Sequence, residues 1–177
     1  MSAAGIDRNT FLAAMRNVAS SVTVVTTDGV AGRQGATVSA FSSLSADPPS
    51  VLVCLRSDSR IARAVAANGV FCVNVLPEGA DAIATRFSGR FDHMLPSRFA
   101  GLVLRPTATM CPALPGAQSF ACHVLDTKEH ASHTIFIGGV AEILPADGPP
   151  LAYLNGSYHG LRPQLPESGG YFADHPC

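Results

Sequence analysis

Short runs of β-branched and aliphatic residues, each closed within a few positions by glycine, proline or an Asp-Gly pair, recur along this chain and limit its fold more than any other feature. Residues 21–27 are a β-branched run that Asp28 and Gly29 end in a turn, and residues 34–41 return as a second strand. Asp47, Pro48 and Pro49 turn the chain into a short buried strand over 50–55. Residues 70–76 form another, ended by Pro77, and residues 102–105 a brief one. Residues 120–126 and 133–144 are expected to pair around a loop at 127–132, and residues 149–154 with Ser157 and Tyr158 supply a last strand or turn. The 16 glycines and 13 prolines suit that many turns.

Helices interrupt this pattern only three times. Phe11, Leu12, Met15, Val18 and Ala19 share one helical face, with Asp7 as N-cap. Ser59 caps a second helix whose apolar face is Ile61, Ala64 and Val65 and whose stop is Gly69. A third, over 79–87, presents Ala80, Ile83, Ala84 and Phe87. Residues 88–99 are irregular. This is not the regular strand-helix alternation of a dinucleotide-binding parallel sheet; hairpin connections favour a mainly β, antiparallel barrel.

The 12 Lys and Arg against 13 Asp and Glu leave a formal charge of −1, which excludes the basic footprint of a nucleic-acid binder and gives no electrostatic reason to bind an anionic membrane. Only 14% of residues are charged and 47% are hydrophobic, so part of the surface is expected to be covered by a second copy or a ligand. No apolar run approaches the ~20 residues of a membrane span. Residues 1–10 carry no secretory apolar core, so a cytoplasmic protein is the expectation. Five cysteines without a CxxC pair indicate neither a disulfide framework nor a zinc site; Cys54, Cys72 and Cys122, in apolar runs, read as buried thiols, and Cys177 as exposed. Residues 1–162 read as one domain and residues 163–177, polar and glycine-rich, as a mobile tail.

Three places carry chemistry. Arg56-Ser57-Asp58-Ser59-Arg60 joins a buried strand to a helix start, where unpaired backbone amides, hydroxyls and two guanidiniums suit a phosphate; the plainer reading is an N-cap with solvated charges. The small and hydroxyl side chains from Gly35 to Ser45 would let a flat ring approach the backbone, although an ordinary Ser/Thr-rich strand explains them as well. His133 opens an apolar strand at a loop edge, where an imidazole could face a ligand; with His123 and His130 it fits no metal-ligand spacing.

Taken together, several blocks resemble a known family, the short-chain flavin reductases of two-component monooxygenases. They are Val22-Thr23-Val24-Val25-Thr26-Thr27 followed by residues 35–49, Val51 to Leu55 with Ser57, Ser59 and Arg60, Phe71 to Leu76 with Arg86 and Phe87, residues 133–140, and Pro150 to Tyr153. The likeness spans about residues 11–161, with its blocks in order. It implies an FMN-binding split β-barrel, homodimeric, with flavin near the subunit interface. It implies hydride transfer from NADH or NADPH to FMN or FAD, and delivery of reduced flavin to a separate monooxygenase.

Carried over by the resemblance, Gly35, Ala36, Thr37, Val38 and Ser39 line the flavin ring, with Ser45 and Pro48 nearby. Cys54 and Leu55 offer backbone groups. Arg56, Ser57, Ser59 and Arg60 hold the flavin phosphate, and Arg86 and Phe87 close part of the site. His133 and Tyr158 face the nicotinamide nucleotide, His133 as a positioning residue rather than an obligatory acid. The chain departs from the family at Ala36, where methionine is common, and at Gly139, often glutamate; the loop 93–99 matches poorly. Alternative readings are a non-catalytic flavin-binding barrel and a flavin oxidase of the pyridoxamine-phosphate-oxidase type.

Overall fold

In the computed structural model, which describes residues 5–163, ten strands and three helices follow the order α1 (Arg8–Met15), β1 (Ser20–Ser21), β2 (Thr23–Thr27), β3 (Gln34–Val38), β4 (Phe41–Ala46), β5 (Pro49–Arg56), α2 (Arg60–Asn68), β6 (Val70–Val75), α3 (Asp81–Phe87), β7 (Gln118–His130), β8 (His133–Leu144), β9 (Leu151–Leu154) and β10 (Ser157–Gly160). The tail expected beyond Pro163, and Cys177 with it, lie outside the described residues. Among the described residues no helix is long and apolar enough to cross a membrane.

Seven strands form one antiparallel sheet in the order β3-β2-β6-β7-β8-β5-β4. Its two outermost strands are consecutive in the chain, joined only by Ser39 and Ala40. The Cys54 amide on β5 donates to the Ala40 carbonyl at 3.0 Å. The sheet therefore curls until its edges approach, giving a barrel that stays open along one seam. A three-stranded sheet, β1-β9-β10, packs beside it. Its hairpin turns at Asn155 and Gly156, both at positive φ, the backbone that an Asn-Gly pair adopts most readily.

The barrel interior is aliphatic and aromatic. Val25, Val53, Val65, Phe71, Val73 and Phe136 are fully buried together. Gly138 is obligatory there because a Cβ would run into the Phe71 ring and the Cys122 Cβ. α2 plugs one end, burying Ile61, Ala62, Ala64 and Val65, with Ser59 as N-cap and Gly69 as a left-handed C-cap. A second cluster, including Val24, Leu76, Ala84, Phe87 and Leu114, joins α3 to the outside of the sheet.

One buried polar hub ties the strands. The fully buried Asn74 side chain donates to the Val24 carbonyl (3.0 Å) and the Thr26 hydroxyl (3.2 Å), and its oxygen accepts from the Leu114 amide (2.8 Å) and the Ser119 hydroxyl (2.9 Å). Every polar atom of the amide is thus used, the condition under which a buried amide is tolerated.

Several expectations need correction. The first helix stops at Met15 rather than Ala19 and buries no residue, so its apolar face does not serve this chain's own core. The strand expected over 34–41 breaks at Ser39 and Ala40, and Phe41–Ala46 pairs with β5 as a separate strand. Residues 102–105 make one isolated bridge, Arg105 to Ala113, because Leu102 and Leu104 pack as irregular chain over the α3 cluster. The loop expected at 127–132 is strand almost throughout: β7 and β8 pair down to His130 opposite His133, and Ala131 and Ser132 form the turn, Ala131 at φ 49°. Cys54 is half-buried rather than buried, whereas Cys111, for which nothing was expected, is buried.

Candidate functional site

The seam of the barrel is a cavity of ≈ 320 Å³. It exists because β4 covers β5 only as far as Val53, opposite Phe41. Beyond that point the outer edge of β5 at Cys54, Leu55 and Arg56 faces the free edge of β3. Ala36, Thr37, Val38, Ser39 and Ala40 form one wall, Cys54, Leu55 and Arg56 the other, and Ser59 with Ile61 on α2 the closed end. His133 joins it from β8, directly opposite Arg56 in register.

The side chains and main chain divide the work differently from the expectation. The Thr37 hydroxyl donates to the Ala84 carbonyl at 2.6 Å, so it braces β3 against α3. The Gly35 carbonyl is turned away from β2, accepting from Arg98 at 2.8 Å, and the alternation of an antiparallel ladder turns the main chain of Thr37 the same way, into the seam. Gly35 itself is small for the core's sake: a Cβ there would lie 2.6 Å from the Phe87 ring. The Cys54 amide is already bonded to Ala40 and is no donor to a ligand.

At the end of the seam lies the turn into α2. The Ser59 hydroxyl accepts from the Ala62 amide (3.2 Å) and donates to the Arg56 carbonyl (2.6 Å). The amides of Arg60 and Ile61 have no protein acceptor among the described residues. Ser57 shares a 2.9 Å hydrogen bond with the Thr134 hydroxyl. The two guanidiniums each hold a carboxylate: Arg56 meets Asp58 at 2.7 Å and Arg60 meets Asp92 at 2.8 Å. The Arg56 hydrogen bonds hold the Asp58 carboxyl below the usual carboxylate range. With about two-thirds of both side chains exposed, such a pair contributes little to stability and yields readily to a competing anion. Unpaired amides at a helix start beside exchangeable guanidiniums are what a phosphate requires.

Other expected residues lie around this cavity rather than in it. Tyr158 lines a separate cavity of ≈ 280 Å³ with Tyr153 and Ser88, which shares Thr37, Val38 and Ser39 with the seam. Arg60 and Gly35 border a third cavity. Phe87 is fully buried beneath Gly35, edge-on to Phe99 at 5.0 Å between ring centres. Arg86 lies on an apolar groove with Phe91 and Met94. Ser45 and Pro48 sit at the far hairpin of β4 and β5, where the Ser45 hydroxyl caps Asp47, and this chain does not bring them to the seam. Ile61 lines the seam without having been anticipated as a site residue, and Ala40 lines it from within the Gly35–Ser45 stretch although the resemblance did not single it out. Ile61 was legible only as core.

An antiparallel barrel left open along one seam, with a phosphate-competent helix start at its end, defines a class, the split β-barrels. The particular family follows from comparison with known proteins. Residues 15–162 match the flavin reductase like domain, and the chain belongs to that family. It is 39% identical over 163 residues to the FMN reductase (NADH) RutF of Ancylobacter novellus, covering 90% of this chain and 88% of the relative. The styrene monooxygenase flavin reductase of Pseudomonas putida S12 superposes with a TM-score of 0.77 at 30% identity, over 88% of this chain and 99% of the other. The NADH:FAD oxidoreductase SgcE6 of Streptomyces globisporus C-1027 gives 0.81 at 25% identity, over 95% and 97%.

Proposed function

We propose that this chain is an NADH-dependent flavin reductase that passes reduced FMN or FAD to a separate monooxygenase. The observation that carries the reading is the seam itself: a slot walled by small residues of β3 and the bare edge of β5, ending at two unpaired amides of α2. The slot fits a flat ring, and its end fits the ring's phosphate. When bound, the flavin would supply the hydride-accepting chemistry and the nicotinamide the hydride, and that chemistry is the cofactors' own. The protein's residues orient and hold. Ala36, Val38 and Ser39 bound the ring. The main chain of Thr37 presents hydrogen-bonding groups to its edge. Ser57, Ser59, Arg56 and Arg60 surround the phosphate.

His133, exposed opposite Arg56 with its Nδ1 3.0 Å from the Ser132 hydroxyl, positions the nicotinamide nucleotide at the mouth. Tyr158 flanks the mouth from the neighbouring cavity. No side chain is required as acid or base.

A second copy of the chain completes the site. α1 carries Phe11, Leu12 and Met15 with none of them buried. Leu12 and Met15 line a cavity of ≈ 670 Å³ that shares Ser39 and Ala40 with the seam. A partner seated on this face buries the apolar helix and roofs the flavin at once. The catalytic domain spans residues 1–162, and the cytoplasm is its setting.

Following NADH absorbance with FMN, FAD or no added flavin tests the reading. Oxidation that depends on added flavin is the expected result. Tight flavin binding without oxidation of either NADH or NADPH would establish a binding barrel instead.

A further inference from the structure

Beside the seam lies a second cavity of ≈ 300 Å³, with no lining residue in common with it. The two share a wall. Ser59 and Ala36 face the seam, while their chain neighbours Arg60 and Gly35 face this second cavity. Three guanidiniums surround it, from Arg33, Arg60 and Arg98, against the carboxylates of Asp28 and Asp92.

These groups are not equivalent. Arg98 is fixed: it donates to the Gly35 and Phe87 carbonyls at 2.8 and 2.9 Å and grips Asp92 with two further bonds. Those bonds hold the Asp92 carboxyl below the usual carboxylate range and largely satisfy its charge. Arg60 reaches Asp92 through one nitrogen only, and Arg33 reaches Asp28 through Nε only, its guanidinium 5.8 Å from the centre of the Phe99 ring. The remaining nitrogens of Arg33 and Arg60 have no acceptor among the described residues. Both side chains are about half exposed or more, so reorientation toward an anion costs little.

Resting on the flavin-reductase reading, we propose that this cavity takes the second phosphate and adenylate arm of FAD, so that the chain retains FAD more tightly than FMN. The chemistry follows from adjacency. In FAD the flavin phosphate is joined directly to a second phosphate. With the first at the Arg60 and Ile61 amides, the second lies next to the Arg60 side chain, and Arg33, lining the same cavity, meets the charge that FMN lacks. The loop around Asp92 and Arg98 thereby gains a role as the outer wall of the dinucleotide site.

Fluorescence titration of the full-length protein with FAD and with FMN, without nicotinamide, tests this directly. The wild type binds FAD more tightly than FMN. Arg33→Gln weakens FAD by about three-fold and Arg33→Glu by about ten-fold, the range of a solvent-exposed charge contact and its reversal, with FMN unchanged. Equal affinity of the wild type for both flavins, or Arg33 variants that shift both flavins or neither, overturns the assignment. An Arg33→Glu protein that binds FAD normally but shows a raised KM for NADPH would place the anion on the hydride donor and also overturn it. Failure to bind any flavin would sink the underlying reading, whereas FMN binding without an FAD preference sinks only this one.

Discussion

β2 and β4 both mix hydroxyl and apolar side chains, three hydroxyls in each, and the structure treats them oppositely. In β2, Thr23-Val24-Val25-Thr26-Thr27 is buried at every position, and its hydroxyls reach far along the chain: Thr23 to the Val38 carbonyl, Thr26 to Pro112, Thr27 to Val70, at 2.6–2.8 Å. In β4, Phe41-Ser42-Ser43-Leu44-Ser45-Ala46 buries no residue, and the Ser42 and Ser45 hydroxyls bond only within two residues. A Ser/Thr-rich strand is therefore either an internal tie or an outer face, and its position in the sheet decides which. β2 is flanked by β3 and β6, while β4 is an edge. The interior is complete within one chain. β4 and α1 bury no residue of their own.

The largest effect falls on the complete side. Asn74→Ala strands the buried Leu114 amide, leaves the Ser119 hydroxyl only its longer bond to the Ala117 carbonyl, and takes the donor from the Val24 carbonyl. Each orphaned group costs about 1–3 kcal/mol, and the cavity adds to that. We expect a loss of about 3 kcal/mol or more and a Tm lower by about 10 °C in a chain of this size, read by denaturant and thermal unfolding. A loss under ~1 kcal/mol would mean that the hub is not what ties β2, β6 and β7 together.

The next effect falls on the open side. Met15→Arg places a charge on the face that α1 leaves uncovered. Because α1 buries nothing in its own chain, the fold is expected to persist while the proposed dimer dissociates, with molecular mass halved by light scattering. A variant that remains dimeric would show that copies meet elsewhere and that the contrast between the two faces has another cause.

The starts of the first two helices and the stop of the second were legible because their signals are local: Asp7, Ser59 and Gly69 do what capping residues do wherever they stand. The Arg56–Arg60 turn was legible for the same reason. What a partner strand decides was not. Thr127 to His130 looked like a loop because that end of the β7–β8 hairpin is exposed on both faces, so no alternation betrays it. The break at Ser39 and Ala40 carries no glycine or proline, since it is imposed by the closing of the barrel. Within the site, the small residues at 35–40 were visible but their reasons were not: Gly35 is small for Phe87, and Thr37 carries its hydroxyl for Ala84.

The smallest effect sharpens the comparison most, because it sets one hydroxyl against another. Thr26→Val keeps the shape of the side chain but removes the donor to Pro112 and an acceptor for Asn74. Both lost partners are buried, so the change costs about 1–2 kcal/mol. Ser42→Ala removes a hydroxyl whose only bond is to the carbonyl of the next residue at the surface, and is expected to lie within about 0.5 kcal/mol of the parent. Urea unfolding of both variants on the Met15→Arg monomer isolates each strand from any partner. If the two costs were equal there, burial within one chain would not be what separates β2 from β4. If Ser42→Ala is neutral on the Met15→Arg background but destabilises the parent, β4 lies under the second copy of the proposed dimer, and the outer face is an interior that two chains complete.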